Sequence, residues 1–266
     1  MAQLIKPQIK WTPEKIEILK REYPNGDKTK LATLLGISRK TLKNAANRFN
    51  VVSTLDTNLY KLKLLANFDD LETMYWLGLI IADGNISKDG YLRISCSEKD
   101  ASHLLLLSEK LGSKIRFFST KTAYSSEKRN YCSLCCKDSY YGVIINQFFN
   151  IEASKKTYQP VDLSKISDDI KLLAFFIGFF DGDGCFGKNS LNVAQSLKIE
   201  LHSSWLTTLQ LFSELLAKFG INSSVGINSR GFSSLRLYKQ ASLQKLKTFV
   251  LENSLPVISR KWDLVR

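Results

Sequence analysis

The sequence contains one pattern of helices and strands twice, and this internal repeat limits the possible folds more than any other feature. In the first copy, the spacing of apolar residues predicts a helix, a strand, a helix and two strands over residues 74–84, 91–97, 100–111, 114–118 and 131–137. In the second copy, the same order is predicted over residues 172–184, 197–202, 205–219, 223–227 and 234–238. Two copies in one chain of 266 residues predict two halves related by pseudo-twofold symmetry.

The first helix of each copy ends in a shared motif. Residues 76–84 read WLGLIIADG and align without gaps with residues 176–184, which read FIGFFDGDG. Small residues lie four positions apart on one face of each helix, at Gly78 and Ala82, and at Gly178 and Gly182. Because small side chains let helix backbones approach closely, the two motif helices are predicted to pack against each other.

One carboxylate follows the small residues in each copy, Asp83 and Asp183, and a glycine that can end the helix comes next. Packing the helices together would hold the two carboxylates close, and their repulsion then requires a cation. Mg²⁺ fits because it prefers oxygen ligands and keeps several waters, and Ca²⁺ or Mn²⁺ can substitute for it. In the alternative interpretation both aspartates only end their helices, although an acid at a helix C-terminus opposes the helix dipole.

This motif pair resembles the LAGLIDADG homing endonucleases in their single-chain form, over about residues 70–266. The resemblance implies an α+β fold of two αββαββα repeats, with saddle-shaped antiparallel sheets on the major groove and motif helices meeting above the minor groove. It implies metal-dependent, site-specific cleavage of both DNA strands with short 3′ overhangs, by one chain acting as a monomer. Asp83 and Asp183 would bind the catalytic metal. Ile81 departs from the family motif, and its counterpart Asp181 is expected to be structural.

Lysines in the closing turns of the two copies, Lys156 and Lys261, are candidate catalytic residues. The resemblance implies basic residues near the metals that stabilise charge and order water. The alternative is that both are ordinary surface lysines.

The segment before the repeats predicts three short helices over residues 12–22, 28–35 and 38–49, in a helix-turn-helix pattern. Thr12 and Ser38 can cap helices, and Gly36 suits the tight turn. The outer face of the third helix is predicted to contact DNA through Arg39, Lys40, Lys43, Asn44, Asn47 and Arg48. A small helical bundle with a solvated charged face is the alternative. The predicted domains are residues 1–52, a linker over 53–68, and repeats over 69–160 and 161–266.

Alternation along the predicted strands assigns their two faces. Leu92, Ile94 and Cys96 are expected to face the core. The opposite face is predicted to contact DNA bases or phosphates. Its candidate residues are Arg93, Ser95, Ser97, Lys198, Glu200, His202, Ser234, Arg236 and Tyr238.

The charge balance points to a polyanionic partner, since 38 Lys and Arg against 25 Asp and Glu give a net charge of +13. Double-stranded DNA is the expected partner. The longest apolar run, residues 172–180, is too short to span a membrane, and no signal peptide is recognised, so an intracellular location is expected, in the cytoplasm, the nucleoid or an organelle.

The C-x-x-C at Cys132 and Cys135 raises the possibility of a zinc site, but no second pair of ligands completes it. Residues 131–135 instead alternate like a half-buried strand. Two other functions stay open: an RNA-splicing maturase, and a nuclease-inactive, sequence-specific DNA-binding regulator. An intein-embedded enzyme is not expected, because the sequence starts at Met1 and has no His-Asn pair at its end.

Overall fold

The computed structural model describes residues 11–24, 26–49, 51, 65, 67–87, 91–121, 127–136, 139–152 and 158–266. The chain divides into two compact units, Met1–Leu59 and Tyr60–Arg266. Most of the predicted linker, residues 53–68, lies outside the described residues. No helix in the described part of the chain is both long enough and apolar enough to cross a membrane.

The described residues of the first unit form three short helices, α1 (Pro13–Glu22), α2 (Lys28–Leu34) and α3 (Arg39–Arg48). The predicted caps are present, because the Thr12 hydroxyl accepts from the Lys15 amide at 3.4 Å and the Ser38 hydroxyl accepts from the Thr41 amide at 3.1 Å. Gly36 takes a left-handed φ of 63°, which turns the chain between α2 and α3. The three predicted helices are therefore present, and the assignment of this unit as a helix-turn-helix stays a prediction.

Apolar side chains from all three helices form the core of this unit, including Leu19, Leu31, Leu35 and Leu42. The six residues predicted for the outer face of α3 are all exposed, namely Arg39, Lys40, Lys43, Asn44, Asn47 and Arg48. Their exposure agrees with the predicted face, and their contact with DNA stays a prediction.

The second unit contains the two repeats. The first has α4 (Leu71–Asp83), β1 (Gly84–Ile86), β2 (Leu92–Ser97), α5 (Ala101–Leu111), β3 (Ile115–Lys121), β4 (Lys128–Cys136) and α6 (Ser139–Phe148). The second has α7 (Asp169–Asp183), β5 (Gly184–Lys188), β6 (Ala194–Leu201), α8 (Leu206–Lys218), β7 (Ser224–Ile227), β8 (Ser233–Leu237) and α9 (Gln240–Glu252), followed by α10 (Ser259–Trp262). The α+β class and the αββαββα order of each repeat are confirmed.

Each repeat folds its four strands into one antiparallel sheet, in the order β1-β2-β4-β3 or β5-β6-β8-β7. The residue after each motif acid begins the edge strand: Gly84 pairs with Ile94, and Gly184 pairs with Ile199. Each motif helix therefore continues directly into its sheet, which fixes the acid at the junction.

The predicted strand faces are confirmed by burial and register. Leu92, Ile94, Leu197 and Ile199 face the helices and are buried. Their neighbours point to the opposite side of each sheet.

The C-x-x-C lies in β4, where Cys132 is buried and Cys135 is exposed. Cys132 packs its sulfur 3.3 Å from the sulfur of Cys96 on the neighbouring strand. Because the two residues of the C-x-x-C face opposite sides of the sheet, they do not share one metal, and the strand interpretation is the correct one.

The glycines that end the helices act in two ways. Gly112 and Gly220 adopt left-handed φ angles of 63° and 64° and close α5 and α8 as predicted. Gly84 and Gly184 also end their helices, but in an extended conformation with φ of −73° and −93°. At Gly184 an added Cβ would overlap the ring of Phe180, so close packing rather than backbone handedness requires glycine there.

Candidate active site

The two motif helices, α4 and α7, pack through reciprocal glycine contacts. A Cβ added to Gly78 would lie 2.7 Å from the backbone nitrogen of Phe179, and one added to Gly178 would lie 3.1 Å from that of Leu79. Both would also overlap a backbone carbonyl of the facing helix. Since Phe179 follows Gly178 and Leu79 follows Gly78, the contacts obey the pseudo-twofold symmetry that the repeat predicts.

One turn further along, the helix pair brings the predicted acids to the same end. A Cβ added to Gly182 would overlap the Ala82 methyl group and lie 3.4 Å from the Asp83 carboxyl carbon. Asp83 is the last residue of α4, Asp183 is the last residue of α7, and both are exposed. The structure therefore places two accessible carboxylates at the shared C-terminal end of two closely packed helices.

A cleft of about 230 Å³ opens beside Asp183. Ile81 and Ala82 of α4 line the cleft, and so do Glu200 in β6 and His202 just after it. The cleft shows that residues from the opposite repeat and from the adjoining sheet border the Asp183 carboxylate.

His202 lies one residue beyond the end of β6, not within the strand as predicted. Its Nδ1 accepts from the Ser204 amide at 3.2 Å and caps a short 3-10 turn. Its ring packs edge-on against Tyr158, with ring centroids 4.8 Å apart. These two contacts hold the His202 ring where it lines the cleft beside Asp183.

Lys198 and Glu200 lie on the predicted sheet face but form an ion pair with each other at 2.6 Å. Arg230 adds a second pair to Glu200 at 3.0 Å. The hydrogen bond from Lys198, together with Arg230, lowers the pKa of Glu200 to about 2. These charges are partly neutralised within the protein.

The remaining predicted sheet-face residues differ in accessibility. Arg93 is exposed, whereas Ser95 and Ser97 are half-buried. Arg236 donates to the Tyr238 hydroxyl at 3.3 Å, and Tyr238 is largely exposed.

Ser234 is an exception on this face. It is buried, and its hydroxyl donates to the Gly226 carbonyl at 3.4 Å. The expectation that Ser234 is available for contact is wrong, because its side chain is buried and its hydroxyl is bonded within the sheet.

Asp181 is buried within the helix pair and accepts three hydrogen bonds. Its Oδ2 accepts from the Tyr75 hydroxyl at 2.7 Å and from the Ile258 amide at 2.9 Å, and its Oδ1 accepts from Trp262 Nε1 at 2.8 Å. Burial raises the pKa of Asp181, and these hydrogen bonds oppose the increase. Its burial and hydrogen bonds agree with the expectation that Asp181 is structural, which stays a prediction.

Lys261 reaches the same helix end from the C-terminal turn. Its Nζ donates to the carbonyl oxygens of Asp181 and Gly184 at 2.6 and 2.8 Å. Burial lowers the pKa of Lys261, while the carboxylates of Asp181 and Asp83 oppose that decrease. The structure thus brings Lys261 to the predicted site, whereas Lys156 lies outside the described residues.

Sequence patterns did not reveal the contacts of the C-terminal turn with the first repeat. Arg260 forms two hydrogen bonds with the buried Asp100 carboxylate, at 2.7 and 2.8 Å. Because the Tyr75 hydroxyl gives its one proton to Asp181, it accepts from His103 Nε2 at 3.0 Å. The one signal in the sequence was an acid, Asp181, inside an otherwise apolar motif helix.

The donors present suit a hard cation. Within the described residues, no group of three or more His, Cys, Asp or Glu side chains gathers in a form that could enclose a metal ion. Mg²⁺ commonly binds through one or two carboxylates and completes its shell with water and substrate phosphates. Two exposed carboxylates are enough for Mg²⁺ bound in this way, whereas a metal ion enclosed entirely by protein would need more ligands from the chain.

Residues 171–250 match the family model described as a LAGLIDADG-like domain. No curated protein sequence matches the chain.

The fold is similar to that of several solved structures. The homing endonuclease I-WcaI bound to its DNA recognition sequence has a TM-score of 0.54 and 16% identity, covering 75% of this chain and 92% of the other. The meganuclease I-SmaMI bound to uncleavable DNA has a TM-score of 0.46 and 14% identity, covering 72% and 87%. I-DmoI in complex with DNA and Ca has a TM-score of 0.41 and 18% identity, covering 70% and 90%. At 16% identity, the similarity to I-WcaI shows the fold alone.

Proposed function

We propose that this chain, which carries a LAGLIDADG-like domain and has the fold of the single-chain LAGLIDADG homing endonucleases, is a site-specific endonuclease that cuts both strands of DNA. The observation that carries the proposal is the position of Asp83 and Asp183. Each ends one of two packed helices and lies where its helix enters a four-stranded sheet. One chain therefore contains a paired site suited to two nearby phosphates.

Asp83 and Asp183 would hold divalent cations, with Mg²⁺ as the expected ion and Ca²⁺ or Mn²⁺ as substitutes. When bound, the metal supplies Lewis acidity and lowers the pKa of a coordinated water. The two carboxylates would hold the metal at the helix ends, where both side chains are exposed. The glycine contacts between α4 and α7 fix the spacing of their backbones.

Lys261 would supply positive charge at the same place. Its ammonium group lies at the end of α7, close enough to Asp83 for that carboxylate to affect its pKa. A cation there can stabilise the negative charge that develops on a phosphate during hydrolysis. Lys156 is proposed as its counterpart in the first repeat.

DNA would lie across the two sheets, with the helix ends above the minor groove. The solved I-WcaI structure contains the DNA recognition sequence of that enzyme. On this chain, the exposed Arg93 and Tyr238 and the half-buried Arg236 are suited to hydrogen bonds with bases or phosphates. Cleavage on either side of the minor groove would leave short 3′ overhangs. Helix α3 of the first unit would add contacts in a major groove.

A nuclease-inactive DNA-binding regulator is the second candidate, and the exposed basic face of α3 favours it. The nuclease proposal explains in addition why both repeats end their motif helix with an exposed aspartate. A regulator would not require the paired acids.

The deciding experiment incubates purified full-length protein with a randomised duplex library and Mg²⁺, and sequences the ends produced. We expect one sequence family to be cut on both strands with a short 3′ overhang, and no cutting when EDTA replaces Mg²⁺. Selective binding of one sequence without any cutting in Mg²⁺ or Mn²⁺ would favour the regulator. Cutting that persists in EDTA would exclude the metal mechanism.

A further inference from the structure

The C-terminal turn, residues 258–262, is bound to the motif helices through one buried carboxylate. Asp181 is 1% exposed and accepts from the Ile258 amide and the Trp262 indole, one at each end of this turn. Its third donor, the Tyr75 hydroxyl, comes from α4 of the other repeat. A single side chain therefore links α4, α7 and the C-terminal turn.

A second contact fixes the middle of the same turn. Arg260 forms a two-bond ion pair with Asp100, which is 8% exposed and follows β2 in the first repeat. The turn belongs to the end of the second repeat, so this ion pair joins it to the first repeat. Residues on both sides of Lys261 are thus held by buried acids.

These contacts determine where the Lys261 ammonium group lies. It donates to the carbonyl oxygens of Asp181 and Gly184, two of the last carbonyls of α7 and its junction with β5. Cations at a helix C-terminus are stabilised by the helix dipole, so capping alone would be a sufficient structural role. The Asp83 carboxylate, one of the two proposed metal ligands, lies beside Gly182 at the same helix end, so Lys261 also brings a positive charge to the proposed metal site.

The arrangement exists in only one motif helix. At the corresponding position α4 has Ile81, whose side chain cannot accept hydrogen bonds. The two halves of an otherwise symmetric site therefore differ in how a closing turn can be held.

We infer that Asp181 is a positioning residue for the proposed cleavage: it holds the C-terminal turn so that Lys261 keeps its ammonium group at the paired helix ends, in one half of the site only. This inference rests on the proposed nuclease function. If the inference holds, changing Asp181 slows the cut of one DNA strand more than the cut of the other.

The test uses the duplex recovered from the randomised library, placed in a supercoiled plasmid, with Mg²⁺. Asp181→Asn replaces an acceptor oxygen with a donor that faces other donors, and Lys261→Met removes the ammonium group. Asp263→Asn makes the same chemical change as Asp181→Asn at an exposed position of the same segment. Tyr75→Phe removes one of the three hydrogen bonds and serves if Asp181→Asn does not fold.

We expect Asp181→Asn to slow one strand cut by roughly ten- to a hundredfold, because small displacements of a charge-stabilising group cost that much. Nicked circles should accumulate, and Tyr75→Phe should slow the same strand to a smaller extent. In the Lys261→Met background, Asp181→Asn should add no further loss, since both changes act through one group. Asp263→Asn should cut like the wild type.

Hydrogen exchange over residues 255–266 provides a readout that does not depend on cutting. We expect faster exchange in Asp181→Asn than in the wild type or Asp263→Asn, because the new NH2 group faces at least one donor of the turn, the Trp262 indole or the Ile258 amide, instead of accepting from it. Unchanged exchange, additive losses with Lys261→Met, or equal slowing of both strands would each overturn the inference while wild-type cutting stands. Failure of the wild type to cut any duplex overturns the proposed function and the inference together.

Discussion

At the residue scale, three aspartates near the end of the helix pair have different roles because their surroundings differ. Asp83 and Asp183 are exposed at the helix ends, where ions and water can reach them. Asp181 lies two residues before Asp183 but points into the protein, where three donors occupy its oxygens. The position of an aspartate in the motif therefore does not determine its role; the direction of its side chain is needed as well.

Asp83→Asn and Asp183→Asn should each abolish double-strand cutting and leave DNA affinity largely intact. Each change removes a proposed metal ligand and no predicted groove contact. Cutting is measured on the selected duplex with Mg²⁺, and affinity is measured without metal. Asp263→Asn, the same change at an exposed aspartate outside the motif helices, is the control. Full cutting by either variant would exclude that aspartate as an essential ligand.

At the element scale, the contact between α4 and α7 sets the spacing of the site. The facing backbones leave no room for a side chain at Gly78 or Gly178. The helix pair joins the two repeats, so the same close contact serves both stability and geometry.

Gly78→Ala should lower the free energy of unfolding by about 2 kcal/mol or more, because a methyl group in a tight contact with rigid backbone forces the helices apart. Cutting should decrease as well, since the two acids move with their helices. Chemical denaturation and the cleavage assay check both effects. Gly226→Ala is the matched control, because its added Cβ meets nothing within 4 Å. Equal stability of the two variants would contradict the packing argument.

At the scale of the whole molecule, the net charge of +13 suits a long anionic partner. Binding to duplex DNA should weaken steeply as salt increases, because lysines and arginines displace counterions from several phosphates. Measuring affinity over a range of salt concentrations gives the number of phosphates neutralised. An affinity that does not change from low to moderate salt would argue against this mode of binding.

The first unit is predicted to extend the DNA contact without taking part in the chemistry. Removing residues 1–55 should leave the cut position unchanged and weaken binding by about ten- to a thousandfold, since base contacts contribute roughly 1–3 kcal/mol each. Footprinting should show a shorter protected region.

A matched comparison within the full-length chain uses the exposed α3 residues Lys43 and Asn47. Lys43→Ala with Asn47→Ala should weaken binding, whereas Lys20→Ala, exposed on α1, should have less effect. Equal affinity and identical footprints for the full-length and shortened proteins would show that this unit does not read DNA.

Much of the fold followed from local patterns. The caps and turns of the first unit, the motif helices and the faces of β2, β6 and β8 depend on neighbouring residues, and they were predicted correctly. The short strands β1 and β5 and the helices α6 and α9 were not placed by residue patterns and came only from the family resemblance. β1 and β5 continue directly from the motif helices, so no turn signal separates them.

The sequence by itself determined the repeat, the pairing of Asp83 with Asp183 and the small residues that let their helices meet, because these features recur at fixed spacing along the chain. Only the tertiary structure decided the pairing of Lys198 with Glu200, the placement of His202 beside Asp183 and the anchoring of Lys261. The contact between Asp181 and Tyr75 spans 106 residues, and that between Arg260 and Asp100 spans 160. Such contacts form when elements far apart in the sequence pack together, so they cannot be predicted from local periodicity.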